Sequence, residues 1–312
     1  RTEGEMEYLP GEGTHVFAGD EIPTSKTARP HYMAYSPRSK SYAKAKRVKG
    51  KPGWNISGGG HLSTTLKRLR KEGLLDINGG QPITDDQIAV LQGVAAVESS
   101  GQLQTINSWD SDKMSVGFNQ NTAAGRLQKL IRQNEGPWAD YGIELDRDDE
   151  NKEVEKWIKG PKDNKRMATG FEGMDKSKEL RNITWGMRFY DAGLDDRIVV
   201  EQTKKAVQEY KADMARIQKR IAKSKKPNKK YFDELVVKAA LFELGNNRPA
   251  YQMEIVMEAL NSSGASDLKK FLKTLKTAAG KVYAKHAKPK KKAAMKKKGE
   301  GIVRKVAASF GH

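Results

Sequence analysis

Glu98 closes an apolar run, Ile88 to Val97 (IAVLQGVAAV), and two further carboxylates, Asp110 and Asp112, follow it in the polar stretch NSWDSDK. If the run is a helix, the Glu98 side chain leaves the core where Ser99-Ser100-Gly101 turns the chain. Partial burial disfavours an ionised carboxyl, and the negative end of a helix dipole acts in the same direction. Glu98 is therefore expected to keep a proton near neutral pH, while Asp110 and Asp112, in a polar turn, stay ionised. One protonated and one ionised carboxyl is the pairing that splits a glycosidic bond: the acid protonates the leaving oxygen and its counterpart acts on the far side of the sugar. Asp110 and Asp112 also flank Ser111 as an ordinary Asx turn would. Trp109 between the two groups is either a packed aromatic or a sugar platform.

The elements that must hold these residues are mostly helical. Thr84-Asp85-Asp86-Gln87 has the pattern of a capping box with acids in the first turn, and the helix it starts is apolar nearly all round, which predicts burial. Before it, Leu62, Leu66, Leu69 and Leu74 fall near helical spacing. Thr203, Val207, Tyr210, Met214, Ile217 and Ile221 recur in threes and fours, predicting a long helix over about 198–221. Further helices are expected over 231–244, 251–260 and 266–279, and TAAGRLQKLI is helical in pattern. Glu144 to Glu155 reads as an acidic surface loop and helix start. Glu135 and Glu144 lie nine residues apart, an interval similar to the Glu–Asp pair of phage-type lysozymes, but Glu135-Gly136-Pro137 reads as a helix end. His61 after three glycines reads as a loop histidine, with no second histidine nearby to share a metal.

Glu98-Ser99 followed by Gly101, with Trp109 midway and then Met114-Ser115-Val116-Gly117-Phe118-Asn119-Gln120, resembles the active-site strip of goose-type lysozymes and lytic transglycosylases. In that family an E-S pair ends a buried helix, a small β-hairpin follows, and a G-L-M-Q-like turn lines the sugar cleft. Here Gly117 and Gln120 match that turn, while Phe118 and Asn119 replace Leu and Met. Phe189-Tyr190-Asp191-Ala192-Gly193 is similar to the family's A-Y-N-A-G element, with Asp191 in place of Asn. The resemblance runs from Thr84 to the helix after Gly193. It implies a lysozyme-like, mainly α (α+β) domain with a hairpin beside the catalytic helix. It also implies Glu98 as general acid, Asp110 or Asp112 as its counterpart, and Ser99, Trp109, Ser115, Gly117, Gln120 and Tyr190 along the sugar site, with no metal and no cofactor.

The charge lies at the two ends. Of the net +19 carried by 312 residues, Ile22 to Lys71 contributes +13 and Lys281 to His312 contributes +10, which leaves the rest at −4. The expected division is a basic, irregular extension over 1–60 packed on the main domain, a catalytic domain over 61–280, and a solvated Lys-rich tail over 281–312. Such ends suit anionic polymers, here those of a cell wall. There is no Cys, which excludes disulfides, thiol nucleophiles and Cys-ligated metals. The apolar runs are too short to span a membrane, so a soluble protein is expected. RTEGEMEYLPGEG carries neither the basic nor the apolar region of a signal peptide, and the chain reads as a fragment or a processed product. These features resemble the C-terminal lysozyme domain of a bacterial antagonism effector, such as those delivered by type VI secretion to the periplasm or wall of a target cell, or a phage lysin. The implied partners are peptidoglycan strands and an immunity protein. The rival class is a non-enzymatic polyanion-binding or phage structural protein. Nucleic acid fits it poorly, because aromatic residues are 7% of the chain and none interrupts the Lys run.

Overall fold

The computed structural model describes residues 5–6, 16–17, 31–36, 41–47, 53–108, 114–122, 126–147, 156–159, 165–169, 171–172, 181 and 183–312. In chain order its strands are β1 (Glu5–Met6), β2 (Val16–Phe17), β3 (His31–Ser36), β4 (Ser41–Arg47), β5 (Trp54–His61), β6 (Gln102–Asn107), β7 (Ser115–Val116), β8 (Asn121–Thr122), β9 (Lys156–Lys159) and β10 (Lys165–Thr169). The helices are α1 (Leu62–Lys71), α2 (Asp85–Glu98), α3 (Arg126–Gln133), α4 (Glu135–Ala139), α5 (Ile183–Ala192), α6 (Asp196–Ile221), α7 (Leu235–Asn247), α8 (Pro249–Asn261), α9 (Leu268–Lys285) and α10 (Lys292–Ser309). The chain is mainly helical, in an α+β arrangement. It forms two compact units, each discontinuous in sequence: Arg1–Leu62 with Gln102–Thr203, and Ser63–Gly101 with Lys204–His312.

The first unit is built on a six-stranded antiparallel sheet in which β3 to β8 follow one another in chain order. Its register sets Ala45 opposite Ile56, Ile56 opposite Ile106 and Ile106 opposite Val116. These four side chains form one buried row across four strands. Gly186 lets α5 settle on that row, since a Cβ there would stand 2.8 Å from Ile56 Cδ1. Trp138, Phe171, Trp185 and Phe189 complete the core with tilted and edge-on ring contacts at 5.4–6.2 Å, geometries favoured by the ring quadrupoles.

This sheet corrects the expectation of an irregular 1–60 extension. In β4 (SYAKAKR), buried Ala43 and Ala45 alternate with lysines, the period of two that a one-sided strand requires.

Gly193, just past the C-terminus of α5, is a tight joint of the unit. A Cβ at that position would lie 1.6 Å from Nε2 of Gln104. Gln104 is fully buried, and its amide donates to the carbonyl of Phe189 at 2.7 Å, so it cannot move aside without abandoning that bond. Gly193→Ala should lower unfolding free energy in urea by about 2–3 kcal/mol through overpacking and the lost hydrogen bond. Adding Gln104→Ala should recover part of the loss; strictly additive effects would show that the two groups do not meet.

The second unit is a helical bundle. The Thr84 hydroxyl accepts from the Gln87 amide at 3.2 Å, and the Gln87 side chain accepts from the Thr84 amide at 3.0 Å, so the expected capping box is formed. The helix it opens, α2, is buried along most of its length. Gly93 brings it close to α7 and α10, where a Cβ would meet Phe310 at 3.1 Å and Ala239 and Val306 at 3.4 Å. The α6 stripe packs as its spacing predicts, with Val207, Ile217 and Ile221 buried.

The Lys-rich segment after residue 281 is not the solvated tail expected. Helix α9 continues to Lys285, and α10 buries Gly299, Ile302, Val303, Val306 and Ala307. Gly299 lies against α9 closely enough that a Cβ would be 2.7 Å from the carbonyl oxygen of Ala279. The lysines cover the outer face of a packed helix.

Candidate functional site

Helix α2 ends at Glu98, as the sequence predicts. Ser99 and Gly101 both donate their amides to the carbonyl of Ala95, at 2.8 and 2.7 Å, which stops the helix. Ser100 and Gly101 take positive φ angles of 54° and 80°, and β6 starts at Gln102. A glycine at 101 suits that left-handed backbone. Glu98 is half-buried and Ser99 is buried.

The surroundings of Glu98 carry more charge than the apolar helix suggested. Within the second unit its carboxylate and that of Glu243 act on Tyr283 and Lys298. Burial pushes the Tyr283 hydroxyl well above its ordinary value, and the two carboxylates add to the effect. Lys298, exposed in part, is pulled below the ordinary lysine value by desolvation and by the Arg248 guanidinium, against the pull of Glu98 and Glu243. Periodicity could not have announced Glu243, a fully buried acid inside the apolar helix α7.

The hairpin residues lie in the first unit. Ser115 starts β7, Gly117 makes the turn at φ 86°, and Gln120 sits at φ 44°, unusual for a side chain with a Cβ. The Gln120 amide offsets that strain by donating to the carbonyls of Thr105 at 3.0 Å and Gly117 at 2.8 Å, while its oxygen accepts from Asn107 at 2.6 Å. Asn107 in turn accepts from Asn55 of β5, its partner in the strand register. A row of side-chain amides thus crosses β5, β6 and the hairpin turn. Asn55 and Asn107 were not singled out from the sequence, because only strand register brings them together. A Cβ on Gly117 would stand 2.1 Å from the side-chain oxygen of Gln202.

Tyr190 is only 3% exposed and lies against Gly58 of β5, where a Cβ would be 2.4 Å from its hydroxyl. Burial and the neighbouring Asp191 push that hydroxyl up to about 12. Of the residues read from the sequence, Ser115, Gly117, Gln120 and Tyr190 therefore share the first unit, whereas Glu98 and Ser99 belong to the second. Trp109, Asp110 and Asp112 lie outside the described residues.

The first unit also holds a pocket of about 560 Å³, with Ile131, Ala139, Ile143 and Leu145 as its apolar wall. Glu135, Glu144, Asp146 and Glu172 line it, and Arg147 pairs with Glu135. Glu135 opens α4. The bridge between Leu145 and Phe171 brings Glu172 beside Glu144, a pairing no sequence interval suggests. Glu144 is raised above the ordinary carboxyl value by its hydrogen bond with Glu172, then by desolvation and by repulsion from Glu172 and Glu135.

A carboxyl raised on folding binds its proton more tightly in the folded state. Its stabilising effect is complete below the unfolded value and is lost as pH rises through the folded one. Glu144→Gln should therefore raise the thermal midpoint by about 1–3 °C at neutral pH and by nothing measurable near pH ~3.5. Scanning fluorimetry across that range checks this, and a pH-independent change would show that Glu144 and Glu172 do not interact.

Among the described residues no group of three or more His, Asp or Glu is placed to hold a metal ion, and no helix is long and apolar enough to cross a membrane. The chain matches none of the known protein families, characterised proteins or solved structures with which it was compared.

Proposed function

We propose that the chain is a peptidoglycan hydrolase that cleaves the β-1,4 bond between N-acetylmuramic acid and N-acetylglucosamine, with Glu98 as general acid. The observation that carries this reading is the local order of the chain. A buried, capped helix ends on a half-buried carboxyl, turns through Ser100-Gly101, and feeds an antiparallel hairpin closed by Gly117 and Gln120. In the reaction Glu98 gives its proton to the glycosidic oxygen as the bond to C1 breaks. Asp110 or Asp112 takes a proton from the water that attacks C1, leaving a reducing muramic acid end. If neither aspartate serves, attack by the sugar's own hydroxyl closes a 1,6-anhydro ring, as in lytic transglycosylases. The basic faces hold the protein on anionic wall polymers. The biological setting that suits these features is an antibacterial effector or lysin acting in the periplasm or wall of a target cell, with an immunity protein as its counterpart.

A second assignment of the acid within the same reaction is favoured by the pocket in the first unit. Glu144, raised above the ordinary carboxyl value by its hydrogen bond with Glu172, is the better proton donor of the two and so offers the asymmetry that an acid and base pair requires.

Digestion of purified peptidoglycan followed by mass spectrometry of the released muropeptides tests the proposal. Fragments ending in reducing or anhydro-muramic acid are the expected result. An intact polymer under conditions where the protein still binds it would return the chain to the class of polyanion-binding proteins.

A further inference from the structure

We infer that the groove between α9 and α10 is a docking site for an acidic amphipathic helix of a partner protein. The groove lies wholly within the second unit, and docking there does not depend on which bond the chain cleaves. Its floor is apolar: Leu272, Val303 and Ala307 are no more than 8% exposed. Its rim carries four cations, Lys269, Lys273 and Lys276 from α9 and Arg304 from α10.

These cations differ from several of their neighbours on α9 and α10 and in the segments around them. Lys270, Lys281, Lys285 and Lys296 are each within 4.0 Å of an acid, namely Asp267, Glu258, Glu254 and Glu300. Among the described residues the four rim cations have no such partner, and α9 contains no acidic residue at all. Four like charges are thus gathered along one groove, an arrangement that complements an anionic surface.

The occupant follows from the floor and the spacing. Lys269, Lys273 and Lys276 advance by four and three residues, so they lie on one face over about 10 Å of helix. Carboxylates at positions i, i+4 and i+7 of a second helix repeat that spacing, and the apolar stripe beside them would cover Leu272 and Val303. A nucleic acid strand makes poor use of an apolar floor, and no Phe, Tyr or Trp lines the groove to stack on a base.

The test uses the whole chain and a synthetic peptide of ~18 residues, about five helical turns, with leucines on one stripe and glutamates flanking it. Fluorescence anisotropy at physiological salt should show saturable binding that weakens about tenfold or more when the same residues are scrambled, because both the charge and the stripe are needed. Lys273→Glu with Lys276→Glu should cost a similar factor. Lys273 is exposed and Lys276 half-buried, and circular dichroism checks the fold of the variant. Lys290→Glu with Lys291→Glu, in the turn before α10, should leave the affinity within about twofold, as expected for screened charge outside the contact. Absence of binding overturns the inference. So does equal binding of the scrambled peptide or of duplex DNA, or indifference to reversal of the groove charges, because each of these would reduce the rim to diffuse positive charge.

Discussion

Glu98→Gln is expected to leave the protein folded and to lower muropeptide release by about 10²–10⁴, the usual worth of a positioned general acid. Glutamine has nearly the same shape and fits the same half-buried position, but its amide cannot supply a proton to the departing oxygen. Because the amide replaces the carboxyl group with little change of shape, the thermal midpoint should stay within about 2 °C. Release retained above about a tenth would move the acid elsewhere. If Glu144→Gln then abolishes release, the acid lies in the pocket of the first unit. If neither variant affects it, the proposed chemistry is wrong.

The second large effect concerns stability. Ending the chain before α10 should abolish cooperative unfolding of the second unit. Ile302, Val303 and Val306 are each no more than 3% exposed, and burying such side chains contributes about 1.5–3 kcal/mol apiece. Their removal alone approaches the 5–15 kcal/mol that stabilises an ordinary domain, before the newly bared faces of α2 and α7 are considered. The shortened protein should bind a hydrophobic dye strongly and show no sharp thermal transition. Replacing the exposed Lys290, Lys291, Lys292, Lys296 and Lys297 by glutamine should keep the transition and weaken only association with anionic walls, most clearly at low salt. A truncated chain that still melted sharply would make α10 an appendage.

These cases show where the sequence was legible. The start and end of α2 could be read because a capping box and a Ser-Gly turn are local chemistry, decided within a few neighbouring residues. The α6 stripe could be read because its large side chains repeat with the helix period. Strand β4 escaped notice because its buried side chains are alanines, too small to stand out between lysines. Helix α10 was hidden by composition: the lysines of its first two turns dominate the segment, while the apolar set that anchors it begins only at Ile302. The local turns around the proposed site could be read in part. The helix end at Glu98 and the turn through Gly117 and Gln120 are local features, but the partnership of Glu144 with Glu172 depends on a β-bridge between distant segments, and the amides of Asn55 and Asn107 meet only through strand register.

The interleaved order of the two units has a consequence during synthesis. Helix α2 is finished at Glu98, yet α7 begins only at Leu235 and α10 at Lys292. At roughly 5–20 residues per second this apolar helix spends on the order of 10 seconds or more outside the ribosome before α7, its main packing partner, begins to emerge. A nascent chain in that condition is a natural client for holding chaperones, and slow growth at low temperature should favour its soluble yield. For the same reason, no cut at a single point in the chain separates one whole unit from the other. Expression of either unit alone requires joining segments that the chain itself keeps apart.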